Sequence, residues 1–260
     1  MIAGHDVARI RAENPSLLTL DGTNTWVAGR DPAWVVDPGP ALPGHLDRIV
    51  AEIDARGGLG GIALTHRHPD HDEGVPALRE RRPAPLVAPS GESDLAVTEG
   101  TRAGPFAALP TPGHSPDHVT WVWGSVAFTG DAVLGAGSVL VAGDMAGYLA
   151  ALERLRDSEP DVLCPGHGPP VTDPHAKLDE YLAHRRLRED RLLTALAKGH
   201  RTVDDLLATV WDDAPPALRP AAALTLGAHL DKLEAEGRLP AGVERPGEAG
   251  ALVGELRRRA

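Results

Sequence analysis

The amino-acid sequence predicts an α/β protein built in layers with a helical unit at its C-terminal end, and three observations carry that prediction. Short β-rich apolar runs closed by turn residues alternate with stretches of helical spacing in the first two thirds of the chain. Beyond about residue 173 the pattern is helical almost throughout. The charge changes at the same place: residues 1–172 hold 12 Lys and Arg against 22 Asp and Glu, whereas residues 173–260 hold 14 against 15, the asymmetry that marks a change of domain. Two units are therefore expected, 1–172 and 173–260.

The elements follow in order. Trp26 to Ala28, Trp34 to Val36 (closed by Asp37-Pro38-Gly39) and Ile62 to Leu64 read as buried strands. Between the last two, Leu46, Ile49, Val50 and Ile53 recur at helical spacing over 46–55. Strand, helix, strand is the grammar of layered α/β folds. Val119 to Val122 and Val126 to Phe128, separated by Trp123-Gly124-Ser125, predict a hairpin. Residues 145–156 predict a helix, and Val162 to Cys164 a short strand stopped by Pro165-Gly166. In the second unit a long helix is expected from His175 to Lys198, with Gly199 as its stop. A short helix follows from Thr202, another from Leu218 to Glu236, and a β-wing over Leu239 to Val243, which together outline a winged helix.

Composition excludes several functions. At 260 residues with 42% hydrophobic and 24% charged residues the chain can bury a substantial core. With nine aromatic rings, five of them Trp, that core must be mainly aliphatic. One cysteine, Cys164, can form neither an internal disulfide nor a thiolate cage, which points to a reducing compartment. The first residues carry no apolar export core and no run approaches membrane length. The expectation is a cytoplasmic protein with no membrane partner. A net charge of −11 opposes nonspecific nucleic-acid binding.

The chemistry concentrates in Thr65-His66-Arg67-His68-Pro69-Asp70-His71, at the end of a predicted strand. Neutral imidazole and carboxylate suit Zn²⁺ or a similar divalent ion, provided they are held rigidly. His66 and His68, two apart on extended chain, project to one side. A turn through Pro69 then brings Asp70 and His71 to a second ion. Downstream, Thr111-Pro112-Gly113-His114, Phe128-Thr129-Gly130-Asp131 and Pro165-Gly166-His167-Gly168 each place a ligand-type residue in a Gly-containing turn after an apolar segment, as expected for ligands on loops at one sheet edge.

This set resembles the metallo-β-lactamase-fold hydrolases. The resemblance implies a four-layer αβ/βα sandwich and two Zn²⁺ ions. His66, His68 and His114 would hold the first, Asp70, His71 and His167 the second, and Asp131 would bridge them. Asp37 matches the early Asp that orients a ligand histidine; as a turn former before Pro-Gly it also has a purely structural use. Asn14-Pro15, Leu20-Asp21-Gly22-Thr23-Asn24-Thr25-Trp26, Gly130 to Gly135, Cys164 to Pro169 and Tyr181-Leu182-Ala183-His184-Arg185 are similar to the beta-lactamase-like protein 2 group, and the likeness extends to the winged helix. Departures are Asp72-Glu73-Gly74 in place of a Ser-Gly-Gly-like run and Gly147-Tyr148 in place of Asp-Tyr.

By that resemblance the reaction is hydrolysis, with a metal-activated water as nucleophile and Asp70 assisting proton transfer. Asp131 and the absent export core disfavour antibiotic hydrolysis, and His68 disfavours flavin-linked redox chemistry. Single-stranded RNA and a small-molecule acyl thioester, lactone or ester are the substrate classes implied. Arg79, Arg81, Arg82, the Arg185 to Arg191 cluster and the winged helix speak for RNA; the acidity and the scarcity of rings speak against it. Arg67, beside the ligands, would meet an anionic substrate. A noncatalytic metal-bound scaffold acting through the winged helix is the remaining class.

Overall fold

A computed structural model describes Ile2 and residues 4–247; the rest of the expected 173–260 unit lies outside the described residues. Two five-stranded mixed sheets face each other. The first runs β1 (Val7–Arg11), β2 (Asn24–Ala28), β3 (Ala33–Val36), β4 (Leu59–Ala63) and β5 (Leu86–Val87) in chain order, antiparallel up to β3 and parallel thereafter. The second contains β6 (Arg102–Ala103), β7 (Phe106–Pro110), β8 (Val119–Trp123), β9 (Val126–Gly130) and β10 (Val162–Pro165), in the order β10-β9-β8-β7-β6. Parallel neighbours need crossovers. Helix α1 (Pro43–Ala55) joins β3 to β4, and α4 (Met145–Asp157) lies between β9 and its parallel partner β10.

Side-chain alternation sorts the strands into layers. Trp26, Ala28, Val36 and Ala63 face the second sheet, whereas Val27, Val35 and Ile62 turn outward beneath α1 and the short α3 (Val75–Arg81). Between the sheets, Phe106 packs edge-on against Phe128 (5.2 Å between centroids) and Trp34 (6.0 Å), and both Phe and all the Trp rings except Trp211 are gathered there. The Cys164 thiol lies in this same layer, and burial pushes its pKa up, which removes it from chemistry. The outer face of the second sheet is covered by α4 and the first half of α5 (Pro174–Ala197), through Tyr148, Leu152, Leu178, Tyr181 and Leu182. Helix, sheet, sheet, helix is the four-layer arrangement expected.

The second half of α5 forms a separate core with α6 (Val203–Val210) and α7 (Arg219–Ala235), built on Leu192, Leu196, Leu206, Val210, Leu226, Leu230 and Leu233. Thr202 caps α6 by accepting from the Asp205 N–H at 3.2 Å. The β-wing expected at Leu239 to Val243 is not formed: the segment is irregular, with a turn at Ala241-Gly242. Pro240 has no N–H to offer a ladder, and Leu239 and Val243 pack on the helical core instead. Helix α7 is buried on both sides, Leu226 and Leu230 toward this core and Ala228 toward the core under the second sheet. Among the described residues no helix is long and apolar enough to cross a membrane.

The aromatic layer yields a direct test. Phe106, fully buried at its centre, should cost about 3–5 kcal/mol when replaced by Ala. Leu187, 56% exposed on α5, should stay within about 0.5 kcal/mol. The shift in urea midpoint of Phe106→Ala and Leu187→Ala, taken at fixed metal concentration, measures both.

Candidate metal centre

Every ligand-type residue singled out in the sequence follows the C-terminal end of a strand. Asp37 follows β3, Thr65 and His66 follow β4, His114 lies in the β7–β8 connection, Asp131 follows β9, and His167 follows β10. Both sheets therefore deliver their loops to one edge. Pro69 opens a short helix, α2 (Pro69–Asp72), in place of the turn expected there; Pro is well placed at a first helical position because it has no N–H to leave unpaired. That helical turn carries Asp70 and His71 across from His68.

The structure brings all seven expected ligands together. His66, His68 and His114 present nitrogens within 4.8 Å of one another, as do the donor atoms of Asp70, His71 and His167, and His66, His71 and Asp131 form a third such group between them. His68 Nδ1 lies 2.9 Å from both His66 Nε2 and His114 Nε2. Asp131 Oδ2 is 3.5 Å from His114 Nε2 and 3.4 Å from His167 Nε2, reaching toward both triads. Asp70 Oδ2 lies 3.3 Å from His167 Nε2 and 3.4 Å from His71 Nε2. Donor atoms around a tetrahedral zinc ion lie roughly 3.3 Å apart, so these spacings fit one ion per triad.

Hydrogen bonds behind the donors set which ring nitrogen faces inward. His71 Nδ1 donates to Asp37 Oδ2 at 2.9 Å, and His114 Nδ1 donates to the Leu140 carbonyl at 3.1 Å. The Thr65 hydroxyl donates to Asp37 Oδ2 at 2.7 Å and accepts from His66 Nδ1 at 3.0 Å, while the Thr65 N–H donates to Asp37 Oδ1 at 2.8 Å. Asp37 sits at φ 52°, a left-handed turn before Pro-Gly, so its turn and its histidine bond coexist. His71 Nε2 and Asp131 Oδ1 are buried with no hydrogen-bond partner among the described residues, which a metal would satisfy. A Cβ on Gly166 would stand 2.4 Å from Asp131 Oδ1 and 2.7 Å from His71 Cε1, so only glycine leaves room between these donors.

The electrostatics divide the two triads. Burial, with His114 adding repulsion, lowers the His68 imidazole to about 4, and burial also lowers His66 and His114. These three rings are neutral and ready to ligate. Burial works against charge on His71 and His167 too, but Asp70, Asp131 and Asp37 hold His71 well above its ordinary value, and Asp131 and Asp70 hold His167 at about 9. Despite burial, His71 and His167 in turn keep Asp70 and Asp131 below the usual carboxylate range. In the metal-free protein two imidazolium rings thus balance the carboxylates.

Four supporting residues carried no role in the sequence reading. His118, fully buried, has its pKa lowered to about 3 by burial and by His114. Its Nδ1 donates to Thr111 Oγ1 at 2.8 Å, and its Nε2 accepts from the Asp131 N–H at 3.1 Å, fixing the Asp131 backbone from behind. Its only signal was its place four residues after His114. Thr23 donates to Asp70 Oδ2 at 3.3 Å, and Asn14 Nδ2 donates to Thr23 at 3.0 Å. Asn24 donates to the carbonyls of Pro165 (2.8 Å) and Gly168 (2.9 Å), bracketing His167. Arg67 does not face the donors: it binds the carbonyls of Ser90 and Glu92 and pairs with Asp72.

A double-sheet sandwich with a histidine and carboxylate cluster able to bind metal ions at one edge defines a class of metal-dependent hydrolase. The chain belongs to the metallo-beta-lactamase superfamily: the model of that superfamily matches residues 91–167, and that of the beta-lactamase associated winged helix domain matches residues 202–240. It is 32% identical to the beta-lactamase-like protein 2 homolog of Drosophila melanogaster, over 90% of this chain and 89% of that one. It is 32% identical to an atrochrysone carboxyl ACP thioesterase of Aspergillus chevalieri, over 80% of this chain and 74% of that one. A metallo-beta-lactamase family protein from Thermus thermophilus superposes with a TM-score of 0.71 at 23% identity, covering 89% of this chain and 94% of that one.

Metal uptake by the second triad must displace the protons on His71 and His167. Because His167 titrates near 9 in the metal-free protein, uptake at pH 7.5 should release protons, and affinity should fall as the pH drops further below 9. Calorimetric titration of the stripped protein in buffers of different ionisation enthalpy reads this directly; a heat independent of buffer contradicts it. His118→Ala should weaken metal retention about 10–100-fold, the usual cost of removing such a support, as measured by competition with a chelator.

Proposed function

We propose that this hydrolase holds two zinc ions in the paired triads and cleaves an acyl thioester, or a lactone or ester of similar reach, in small-molecule metabolism. One observation carries the choice of substrate: the arginines that spoke for RNA are already engaged within the chain. Arg79 pairs with Glu92 and Asp94, Arg81 with Asp47, and Arg82 with Asp54. On α5, Arg186 pairs with Glu153, Arg188 with Asp213 and Arg191 with Asp212, while Arg185 is buried on backbone and hydroxyl acceptors. A phosphate backbone would have to displace these partners against a net charge of −11. Helix α7, which would present its face to nucleic acid in a winged helix, is covered on both sides. The thioesterase named among the relatives supports the same reading.

Bound in the triads, divalent ions supply Lewis acidity toward a carbonyl and a water acidic enough to attack near neutral pH. The chain's own residues hold and orient that chemistry. His66, His68 and His114 would grip one ion, Asp70, His71 and His167 the other, with Asp131 between them. Asp70 keeps 29% of its side chain exposed while Thr23 and His167 fix its Oδ2, so its carboxylate can take a proton from water at the mouth of the site. In the overall reaction a C–O bond forms at the acyl carbon, the C–S bond breaks, and the sulfur leaves with a proton as the thiol.

Wild type and His167→Ala should be assayed side by side on an acyl thioester, a lactone and single-stranded RNA. Thioester or lactone turnover that falls more than about 100-fold in the variant is expected, since losing a ligand exceeds the cost of losing its outer support. RNA cleavage that vanishes with His167, beside inert acyl substrates, would overturn the proposal in favour of a nuclease.

A further inference from the structure

The loop from Gly135 to Gly143 links both triads to the C-terminal helices. At its start the Gly135 N–H donates to the His167 carbonyl at 2.9 Å. Near its end the Leu140 carbonyl accepts from His114 Nδ1, and the N–H groups of Ala142 and Gly143 donate to the Gly113 carbonyl at 2.9 and 3.2 Å. The loop is irregular, and three side chains from the helices hold it. The Tyr181 hydroxyl accepts from the Leu134 N–H at 3.0 Å and donates to the Gly137 carbonyl at 3.1 Å. Arg185 Nη2 donates to Ser138 Oγ at 3.0 Å and to the Val139 carbonyl at 2.6 Å. From α7, Thr225 Oγ1 accepts from the Val141 N–H at 3.4 Å.

Arg185 stands out among these. It is 2% exposed, its guanidinium lies 5.7 Å from the Tyr148 ring centroid, and among the described residues it pairs with no carboxylate. Its Nε is buried without a hydrogen-bond partner among the described residues. A buried guanidinium without an anion is a costly way to fill space, and the partners it has are the loop acceptors beside Leu140. Arg188, one turn further along the same helix and also buried, is different: it pairs with Asp213 and binds the Val210 carbonyl within the helical core, and it reaches the loop only indirectly, its Nε donating to His184 Nε2 at 3.2 Å while His184 Nδ1 lies 3.5 Å from Ser138 Oγ.

We propose that Arg185 is a positioning residue for the metal centre. By gripping Ser138 and Val139 it holds the adjoining Leu140 carbonyl where it accepts from His114 Nδ1, and so keeps His114 Nε2 turned toward His66 and His68. The C-terminal helices thereby set the geometry of the first triad. This inference rests on the two-ion reading above, and the experiment separates the two.

The 260-residue wild type, Arg185→Met and Arg188→Met are stripped, reloaded with Zn²⁺ and titrated with a chelator, and the Co²⁺-substituted proteins are compared by visible absorption. The expected result is an unchanged second site and about tenfold poorer retention at the first in Arg185→Met, with an altered Co²⁺ spectrum, while Arg188→Met retains metal as wild type does even if its melting temperature falls. Equal retention in wild type and Arg185→Met overturns the proposal, and so does equal loss in both variants, which would make Arg185 merely structural. Wild type that takes up no metal fails the two-ion reading itself. Should Arg185→Met not fold, Arg185→Lys, which keeps the charge but loses the two-point grip, should show a smaller loss at the first site; wild-type retention there contradicts the proposal.

Discussion

Both oxygens of the Asp37 carboxylate are bonded to other parts of the candidate centre, and the side chain is almost wholly removed from water. It accepts directly from His71 in one triad and reaches His66, in the other, through the Thr65 hydroxyl. The Asp37 carbonyl accepts from Thr25 Oγ1 at 2.6 Å and its N–H donates to Ala63 at 3.1 Å, which ties β2, β3 and β4 together at the same point. One side chain in a left-handed turn thus couples the end of a sheet to the orientation of two rings. Without it, His71 Nδ1 and the Thr65 N–H would be buried donors with no acceptor, a costly arrangement.

The second sheet meets this edge through His118, which does for the Asp131 backbone what Asp37 does for the histidines. Beyond it, the Gly135 to Gly143 loop connects the edge to α5 and α7. The winged helix of this chain is in this sense part of the scaffold: its third helix lies between two cores, and the wing is a turn. Its role in packing and the internal pairing of the α5 arginines have one physical consequence: Arg186, Arg188 and Arg191 are held by carboxylates of the chain itself and are not free to meet a polyanion. The acidity of the chain and the geometry of its C-terminal unit therefore agree.

Much of this was legible in the sequence because it was local. Trp26 to Ala28 and Trp34 to Val36 show their strands through β-rich apolar character, and His66 to His71 concentrate ligand chemistry within six residues. The four-layer order and the roles within the triads came from resemblance. What was missed depends on contacts distant along the chain or on elements too short to have a period. β5 and β6 have two residues each, so no alternation can mark them. Arg82 meets Asp54 and Arg188 meets Asp213 only after folding, which made an engaged cluster look like a free basic face. His118 looked like any polar loop residue because its partner is a backbone N–H thirteen residues away. The wing was misread because Leu239 and Val243 are apolar enough for a strand, while Pro240 between them removes a ladder donor.

Whether this edge of the two sheets holds the two proposed metal ions can be seen by anomalous scattering from a crystal of the 260-residue chain. Two peaks per chain are expected, one enclosed by His66 Nε2, His68 Nδ1 and His114 Nε2, the other by Asp70, His71 Nε2 and His167 Nε2, with Asp131 between them. Maps from metal-replete crystals with no peak among these atoms, or with a single peak held by other residues, would contradict it.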